Sequence, residues 1–375
     1  MARRALASVN LAAVERNVAR LARELADGVQ LCAVVKADGY GHGAVEVALA
    51  AQRAGATWLA VATADEAQVL RSGGVSARIL VMGALASQEI PVALAARADV
   101  VAWSESFLDA LAAAHPSAPV GVHVKLDTGM GRLGTRDVDL AWGIAERIAA
   151  AAPTLELAGA MTHFATADDD PEFLAEQLAA FTPFAEEIRR RWPGALVHAA
   201  NSAATLREPA SHFDLVRCGV AIYGLDPMQE DPALRGLEPA LELTTYVAAV
   251  KPAAAGESVG YGRRFVAERD TWIATLPIGY ADGVRRAFTN NAEVLIGARA
   301  YPLVGTVSMD NVTVELGPDH RRVHPGEVAT IIGASGDRLQ TAEQLAARIG
   351  TINYEIVCGI SSRVPRRHHR DGEPS

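Results

Sequence analysis

The sequence predicts an α/β fold, an N-terminal (β/α)8 TIM-type barrel followed by a C-terminal mostly-β domain. From residue 10 to about 225, short apolar β-branched runs alternate with Ala/Leu/Arg/Glu stretches of helical period, which is typical of repeated βα units around a parallel sheet. Eight such runs occur, the number of strands that closes a barrel. After about Gly236 the helical stretches stop, and apolar runs lie between Gly, Pro and Asp turns. A doubly wound open sheet is the alternative for the first part.

The eight predicted barrel strands are, in chain order, Leu31–Val35, Trp58–Ala62, Ile79–Met82, Val100–Trp103, Val120–Leu126, Leu157–Thr162, Leu196–Ala200 and Leu215–Ile222. Each follows a stretch in which apolar residues recur at helical spacing. The predicted strands of the second part are Leu241–Val250, Trp272–Pro277, Val294–Ile296, Val312–Leu316 and Val328–Ile332.

The chain is expected to finish with a helix and a frayed tail. Thr341 is a suitable N-cap for a helix that runs to Ile349, and Gly350 follows its end. The Arg/His/Gly residues after Arg366 are expected to be frayed. The Pro/Asp/Gly-rich stretch 226–239 marks the boundary, so we expect a barrel domain of residues 1–235 and a β domain of residues 236–375.

Composition limits the classes of function. The 375 residues are 50% apolar and 21% charged, which suits a packed globular protein. The net charge is −9 and no long run of Lys or Arg occurs, which argues against a nucleic-acid or anionic-membrane partner. The three cysteines are widely spaced and no apolar stretch reaches transmembrane length, so we expect a reduced, cytosolic protein that acts on small molecules. His368-His369 and Asp168–Asp170 are explained as a tail and a helix start, so we assign no metal.

Lysine is rare in this chain. Only Lys36, Lys125 and Lys251 occur among 35 basic residues. Arginine therefore serves wherever a plain positive charge is needed, and a retained lysine is a candidate for Schiff-base formation, proton abstraction or carbamylation. Lys251 precedes Pro252 in an expected loop, and we assign it no role.

Lys36 is the strongest candidate for chemistry. It follows the first predicted strand, so its amine is expected at the C-terminal, catalytic end of the barrel. Burial there would lower the pKa of the amine and leave it able to condense with an aldehyde or take a proton. The glycines at 39, 41 and 43 leave room for a bulky group close to the backbone.

Two further motifs, the first closing the seventh predicted strand and the second lying within the eighth, are where such barrels commonly bind phosphate. They are Asn201-Ser202 and Arg217-Cys218-Gly219-Val220. Taken alone, Ser202 would be a helix N-cap, and Arg217 is equally well explained as a buried ion-pair residue. A G-x-G-x-x-G string after Lys125 resembles a dinucleotide fingerprint, but Arg132 interrupts it and no acid ends the next strand.

The Lys36 stretch, Ala-Val-Val-Lys-Ala-Asp-Gly-Tyr-Gly-His-Gly, together with these motifs in this order, resembles the alanine racemases over residues 5–365. The resemblance implies that pyridoxal 5'-phosphate is held on Lys36. It implies that the cofactor is bound by Lys36, Tyr40, Arg132, His163, Asn201, Ser202, Arg217, Gly219, Val220 and Tyr354. It implies that Lys125 is a candidate for carbamylation. The implied substrate-binding residues are Arg132, Met309, Asp310 and Tyr280.

The activity implied is interconversion of L- and D-alanine by a two-base mechanism on a pyridoxal-phosphate aldimine. Lys36 is one implied base, and Tyr261, in Ser-Val-Gly-Tyr-Gly-Arg-Arg-Phe, is the other and comes from the partner subunit of a homodimer. In a bacterium the D-alanine would supply peptidoglycan. Two positions depart from the usual pattern, Ser308 for cysteine and Asn10 for aspartate, and neither is catalytic.

Several other functions stay open. The same chemistry would serve serine or another small amino acid. A non-catalytic pyridoxal-phosphate carrier would not need a β domain with Tyr261, and a related decarboxylase resembles this chain less around Arg217. A NAD-dependent dehydrogenase would depend on the interrupted glycine string alone.

Overall fold

A computed structural model describes residues 4–319 and 321–374, and these form two compact units. The barrel unit consists of Val14–Gly39 and Ala44–Ile222. The β unit consists of residues 4–13, Tyr40–Gly43 and residues 223–374. These units group residues by their contacts and are not continuous along the chain. The expected domain boundary between residues 235 and 236 is a division along the sequence, and it stays a proposal.

The predicted (β/α)8 barrel is confirmed. Its eight parallel strands are neighbours in chain order, and the first also pairs with the eighth. The strands are Gln30–Val34, Trp58–Val61, Arg78–Val81, Asp99–Ala102, Val120–Lys125, Leu155–Met161, Leu196–His198 and Leu215–Cys218. The seventh and eighth are linked by backbone hydrogen bonds from Asp214 N to Val197 O and from Arg217 N to Ala200 O, both 2.9 Å, so the sheet is nearly closed.

The eighth strand is shorter than expected. It ends at Cys218, because Val220–Tyr223 form a 3-10 turn. Gly219 and Val220 therefore lie in the loop at the end of this strand. Barrels of this type commonly bind phosphate at that position.

Helices alternate with the barrel strands. They are Leu11–Ala22, Ala44–Arg53, Ala64–Ser72, Ile90–Ala95, Glu105–Ala113, Val138–Ala150, Pro171–Arg191 and Ser202–Arg207. Several of these helices begin with a side-chain cap; Ser104, Asp137 and Asp170 accept hydrogen bonds from first-turn N–H groups. In the part of the chain that the model describes, no helix combines the length and apolarity needed to cross a bilayer.

The β unit contains an 11-stranded sheet and a two-stranded one. The strands of the larger sheet are Leu6–Asn10, Leu241–Tyr246, Ala249–Ala253, Thr271–Leu276, Glu293–Ile296, Arg299–Val304, Val312–Gly317, Val328–Ser335, Arg338–Gln340, Arg366–Arg370 and Glu373–Pro374. The smaller sheet pairs Ser258–Val259 with Phe265–Val266. The predicted helix is present as Ala342–Arg348, with Thr341 and Gln344 forming a reciprocal capping box. A second helix, Asn353–Cys358, was not predicted.

The prediction of a frayed tail after Arg366 was wrong. Arg366–Arg370 is a strand that pairs in parallel with Leu6–Asn10. The Arg366 side chain also donates to the carbonyls of Gly41 (3.0 Å) and Ile360 (2.7 Å). The local sequence is fully polar and carries no strand signal, because this pairing is with a segment more than 350 residues away.

Candidate active site

Lys36 begins a left-handed turn. It follows the first barrel strand, and Ala37, Asp38 and Tyr40 have φ between 51° and 53°, with Gly39 at 60°. The left-handed conformation costs a non-glycine residue roughly 1–2 kcal/mol. Such conformations persist where surrounding contacts impose them, and they cluster at functional sites.

Glu66 is one of the residues that hold this turn. Its Oε1 accepts from Ala37 N at 2.6 Å, and its Oε2 accepts from Ala62 N (2.8 Å) and Thr63 N (3.2 Å). Asp38 adds a hydrogen bond from Ala44 N at 3.0 Å. Sequence reasoning missed Glu66, although the capping box Thr63-x-x-Glu66 was a readable signal.

Arg217 is buried, 3% exposed, and donates four hydrogen bonds from its two Nη atoms. Nη1 donates to His198 Nδ1 (2.8 Å), and the two protons of Nη2 are shared among Thr162 O (2.9 Å), Ala199 O (2.8 Å) and His163 Nδ1 (3.2 Å). Burial lowers the pKa of Arg217 to about 10, so it stays a cation at neutral pH. Every one of these described partners is neutral or a neutral tautomer.

His163 is held as a neutral imidazole. Burial, with the positive charges of Arg217, Lys125 and Arg132 next, lowers its pKa well below the usual range. Because its Nδ1 accepts from Arg217, its single proton lies on Nε2. The free face of His163 is therefore a hydrogen-bond donor.

Lys125 is also buried, and its pKa is lowered to about 8 by burial and then by the positive charges of Arg217 and Arg132. Lys36 adds to this effect, and only Asp127 opposes it. Four cationic side chains thus lie at the mouth of the barrel, and the site suits an anionic ligand.

Asp127 holds the glycine-rich loop that carries Arg132. Its carboxylate accepts from Gly129 N (3.1 Å), Gly131 N (3.0 Å) and Arg136 Nε (3.2 Å). These bonds lower the pKa of Asp127, although burial opposes them. The loop therefore binds its own carboxylate and is not arranged as a dinucleotide-binding turn.

The two motifs at the seventh and eighth strands contact each other, and their binding of phosphate stays a prediction. Ser202 Oγ accepts from Gly219 N at 2.9 Å, beside Val220, and Ser202 is 4% exposed. Asn201, not Ser202, is the N-cap of the following helix, and its Oδ1 accepts from Ala204 N at 3.0 Å. The hydroxyl of Ser202 is thus not needed as a cap.

Tyr40 and Tyr354 pack together in the β unit, with ring centroids 5.9 Å apart. Tyr40 also lies against Tyr223 at 4.9 Å. Burial raises the pKa of Tyr40, so its hydroxyl stays protonated. The helix of Tyr354 is fixed by Asn353, whose Nδ2 donates to Glu343 Oε1 at 2.8 Å, an anchor that sequence reasoning missed.

The other candidates line one open hollow of about 470 Å3 on the β unit. Tyr261, Tyr280, Met309 and Asp310 all lie there, with Arg286. Tyr261 is 75% exposed, Met309 52% and Tyr280 44%, unusually high for large apolar side chains. Tyr261 sits in a 3-10 turn between two glycines with φ of 76° and 70°, a backbone conformation that favours glycine.

The loop of Met309 and Asp310 is rigidly held. Tyr280 N donates to Ser308 O at 3.0 Å, and Asp310 Oδ1 accepts from Arg363 Nη2 at 2.5 Å. The carboxylate of Asp310, and after it that of Asp282, raises the pKa of Arg363. The structure therefore places Asp310 in an ion pair within the β unit, and its predicted contact with substrate stays a prediction.

The comparisons with known proteins agree along the whole chain. The family model "Alanine racemase, N-terminal domain" matches residues 9–227, and "Alanine racemase, C-terminal domain" matches residues 240–368. An alanine racemase of Halalkalibacterium halodurans is 42% identical over 372 residues, 97% of this chain and 95% of that protein. The crystal structure of alanine racemase from Streptomyces lavendulae has a TM-score of 0.93 at 38% identity and covers 98% of each chain. The one from Bacillus anthracis with bound L-Ala-P has a TM-score of 0.91 at 38% identity, and covers 100% of this chain and 97% of that one.

Replacing Glu66 tests the support of the left-handed turn. In Glu66→Ala we expect the free energy of opening at the Ala37 amide to fall by about 1.5–3 kcal/mol, the usual contribution of a hydrogen bond to a charged group. Amide hydrogen exchange over residues 35–44 measures this. Asp65→Ala, which removes an exposed carboxylate from the same helical turn, is the control. Unchanged protection in Glu66→Ala would contradict the role of Glu66.

Proposed function

The chain belongs to the alanine racemase family, isomerases that interconvert L- and D-alanine, and we propose that Lys36 and Tyr261 are its two bases. The observation that carries this proposal is the setting of Lys36, on a strained turn at the catalytic end of the barrel among Lys125, Arg132 and Arg217. The neutral form of a lysine amine is the one that acts as nucleophile or base.

We infer that the cofactor is pyridoxal 5'-phosphate, held by the barrel residues named above with Tyr40 and Tyr354. The residues fit this group, because a cluster of cations calls for an anion and Lys36 supplies a primary amine for an aldehyde. Ser202 and Gly219 meet at the two strand ends where barrels of this type bind phosphate. When bound, the cofactor supplies an electron sink that weakens the Cα–H bond of the amino acid.

Racemisation requires one group to remove the Cα proton and another to deliver a proton to the opposite face. Lys36 would serve one face. Tyr261, a phenol on the exposed hollow of a β unit, would serve the other. The Nε2–H of His163 would donate to that phenolic oxygen.

Arg217 would determine the fate of the carbanion. A guanidinium only donates hydrogen bonds and does not give up its proton near neutral pH. A pyridine nitrogen facing Arg217 would therefore receive a hydrogen bond and no proton. With Arg217 in that place the cofactor would supply only moderate electron withdrawal, and Arg217 would thereby favour return of a proton to Cα over transamination.

Arg132 would bind the substrate carboxylate, and Met309, Asp310 and Tyr280 would restrict the space for its side chain. A small amino acid is thus favoured. Serine is the second candidate substrate, since one extra group in such a pocket changes binding by only ~1–3 kcal/mol.

We propose a homodimer in which each active site is shared between subunits. Tyr261, Tyr280 and Met309 present apolar surface that a partner would cover. Three widely spaced cysteines suit a reducing compartment, so we place the enzyme in the cytosol, where its D-alanine would enter peptidoglycan.

The two bases can be separated by isotope exchange in deuterated water. Protein supplied with pyridoxal phosphate is expected to convert L-alanine to D-alanine that carries deuterium at Cα. Both Lys36→Ala and Tyr261→Phe should lose racemisation by about 10²–10⁴-fold, the usual contribution of a general acid–base group. Tyr261→Phe should still exchange the proton on the face that Lys36 serves. Racemisation without Cα deuterium would rule out exchange with solvent, and wild-type activity in Tyr261→Phe would remove Tyr261 from the mechanism.

A purified heterodimer of Lys36→Ala with Tyr261→Phe tests whether the site is shared. One of its two sites would combine an intact Lys36 with the partner subunit's intact Tyr261, so about half of the wild-type activity should return although each homodimer is inactive. If both bases came from one chain, the heterodimer would be as inactive as its parents.

Lys125 is expected to react with carbon dioxide. With its pKa near 8, half of its amine is neutral at about that pH, and carbamate should increase as pH rises through 8 at fixed dissolved CO2. An ordinary lysine, with a pKa of about 10.4, should react only at higher pH. Carbon NMR with labelled CO2 measures the carbamate, and Lys125→Arg is the control because a guanidinium does not take the group. A signal that survives in this variant would assign the carbamate elsewhere.

A further inference from the structure

A chain of buried side chains crosses the barrel from its mouth to the opposite end. Arg217 donates to His198 Nδ1 at 2.8 Å, and His198 Nε2 lies 2.8 Å from His123 Nδ1. His123 Nε2 lies 3.3 Å from Asp99 Oδ2, which also accepts from Arg78 Nη2 at 2.7 Å. Asp99 and Arg78 are the first residues of their strands, whereas His198 is the last residue of its strand. The hydrogen-bonded side chains therefore span the full height of the sheet.

In this hydrogen-bonded series, Arg217 at one end determines which nitrogen of each imidazole carries the proton. Arg217 can only donate, so His198 Nδ1 must accept and its proton lies on Nε2. That proton faces His123 Nδ1, which must accept in turn and carry its own proton on Nε2, toward the carboxylate. Both imidazoles are therefore neutral, in agreement with the pKa of His198, which burial and the charge of Arg217 lower well below its usual range.

Two glycines make room for the chain. A Cβ on Gly121 would lie 2.6 Å from the Asp99 carboxylate, and a Cβ on Gly159 would lie 2.4 Å from His123 Nδ1. Both glycines lie inside buried strands, where glycine normally weakens a sheet and marks a close approach. Barrel interiors are usually filled by branched apolar residues, so this polar chain is a specific feature of the core.

We propose that Asp99 is a positioning residue for Arg217, acting through His123 and His198. The described partners of Arg217 are neutral, and the hydrogen-bonded chain leads from that buried cation to one carboxylate. An anion at the far end polarises each intervening N–H bond and strengthens the acceptor that faces the guanidinium. The Nη1 group of Arg217 is thereby held in one orientation.

The inference deepens the proposed function, because it concerns the group expected beside the cofactor ring. It also has a simpler rival, in which Asp99 only pairs with Arg78. Arg78 is 46% exposed and stacks on Trp58 at 4.4 Å, so this ion pair is peripheral and is removable by itself.

Three variants separate these possibilities. Asp99→Asn keeps the shape but removes the charge. Arg78→Met removes the ion pair and leaves the chain to Arg217 intact. Asp109→Asn, which breaks the exposed Arg147–Asp109 pair of the same barrel, is the control for loss of one carboxylate.

In protein loaded with pyridoxal phosphate, Asp99→Asn should lower kcat for alanine by about tenfold with KM little changed, comparable to the loss when a carboxylate behind a ligating histidine is removed. Arg78→Met and Asp109→Asn should stay close to wild type. Equal losses in Arg78→Met and Asp99→Asn would overturn the proposal in favour of the ion pair, and so would full activity in Asp99→Asn.

A second measurement needs no turnover. Nitrogen NMR of histidine-labelled protein, with and without cofactor, should show His198 and His123 protonated only on Nε2, with mixed tautomers in Asp99→Asn alone. A proton on His198 Nδ1, or unchanged tautomers in Asp99→Asn, would overturn the proposal that Asp99 positions Arg217 through the two histidines. Because this readout is independent of racemisation, a wild-type protein without racemase activity would refute the proposed function and leave the role of Asp99 still tested.

Discussion

The buried guanidinium of Arg217 determines the arrangement of the barrel mouth. A group that can only donate hydrogen bonds requires acceptors on every side, and the barrel supplies them as two strand-end carbonyls, Thr162 and Ala199, and two imidazoles. The imidazoles of His163 and His198 are in turn fixed as neutral tautomers with their protons on the far side. A single fixed charge thus sets the proton positions of the two imidazoles that it contacts.

The positive charge of Arg217 also lowers the pKa of Lys125. Lys125 is buried within reach of Arg217 and Arg132, so its ammonium form is disfavoured twice, by desolvation and by like charge. A cluster of this kind reduces the stability of the empty protein and is relieved by an anionic ligand, which is a common cost of a functional site. It also explains why lysine persists here in a chain that otherwise uses arginine, since arginine would not become neutral in the same environment.

The β unit solves a different problem. It exposes Tyr261, Tyr280 and Met309 on one face, and it fixes them by backbone hydrogen bonds and by the ion pairs of Asp282 and Asp310 rather than by burial in a core. Apolar groups held rigidly in an exposed position lose little entropy when another surface covers them. This arrangement suits a site completed by a second subunit.

The sequence by itself determined the fold class and the eight barrel strands and indicated candidate residues for the chemistry, because hydrophobic periodicity and short motifs are local signals. It did not reveal the strand Arg366–Arg370, the support of Lys36 by Glu66, or the chain from Arg217 through His198 and His123 to Asp99. In each of these, the partners are far apart along the chain, and all three depend on polar residues, which hydrophobic periodicity does not locate. The closure of the barrel brings these strands together, and the glycines in its interior leave space for the imidazoles and the carboxylate. The tertiary structure alone therefore decided how Arg217 is held.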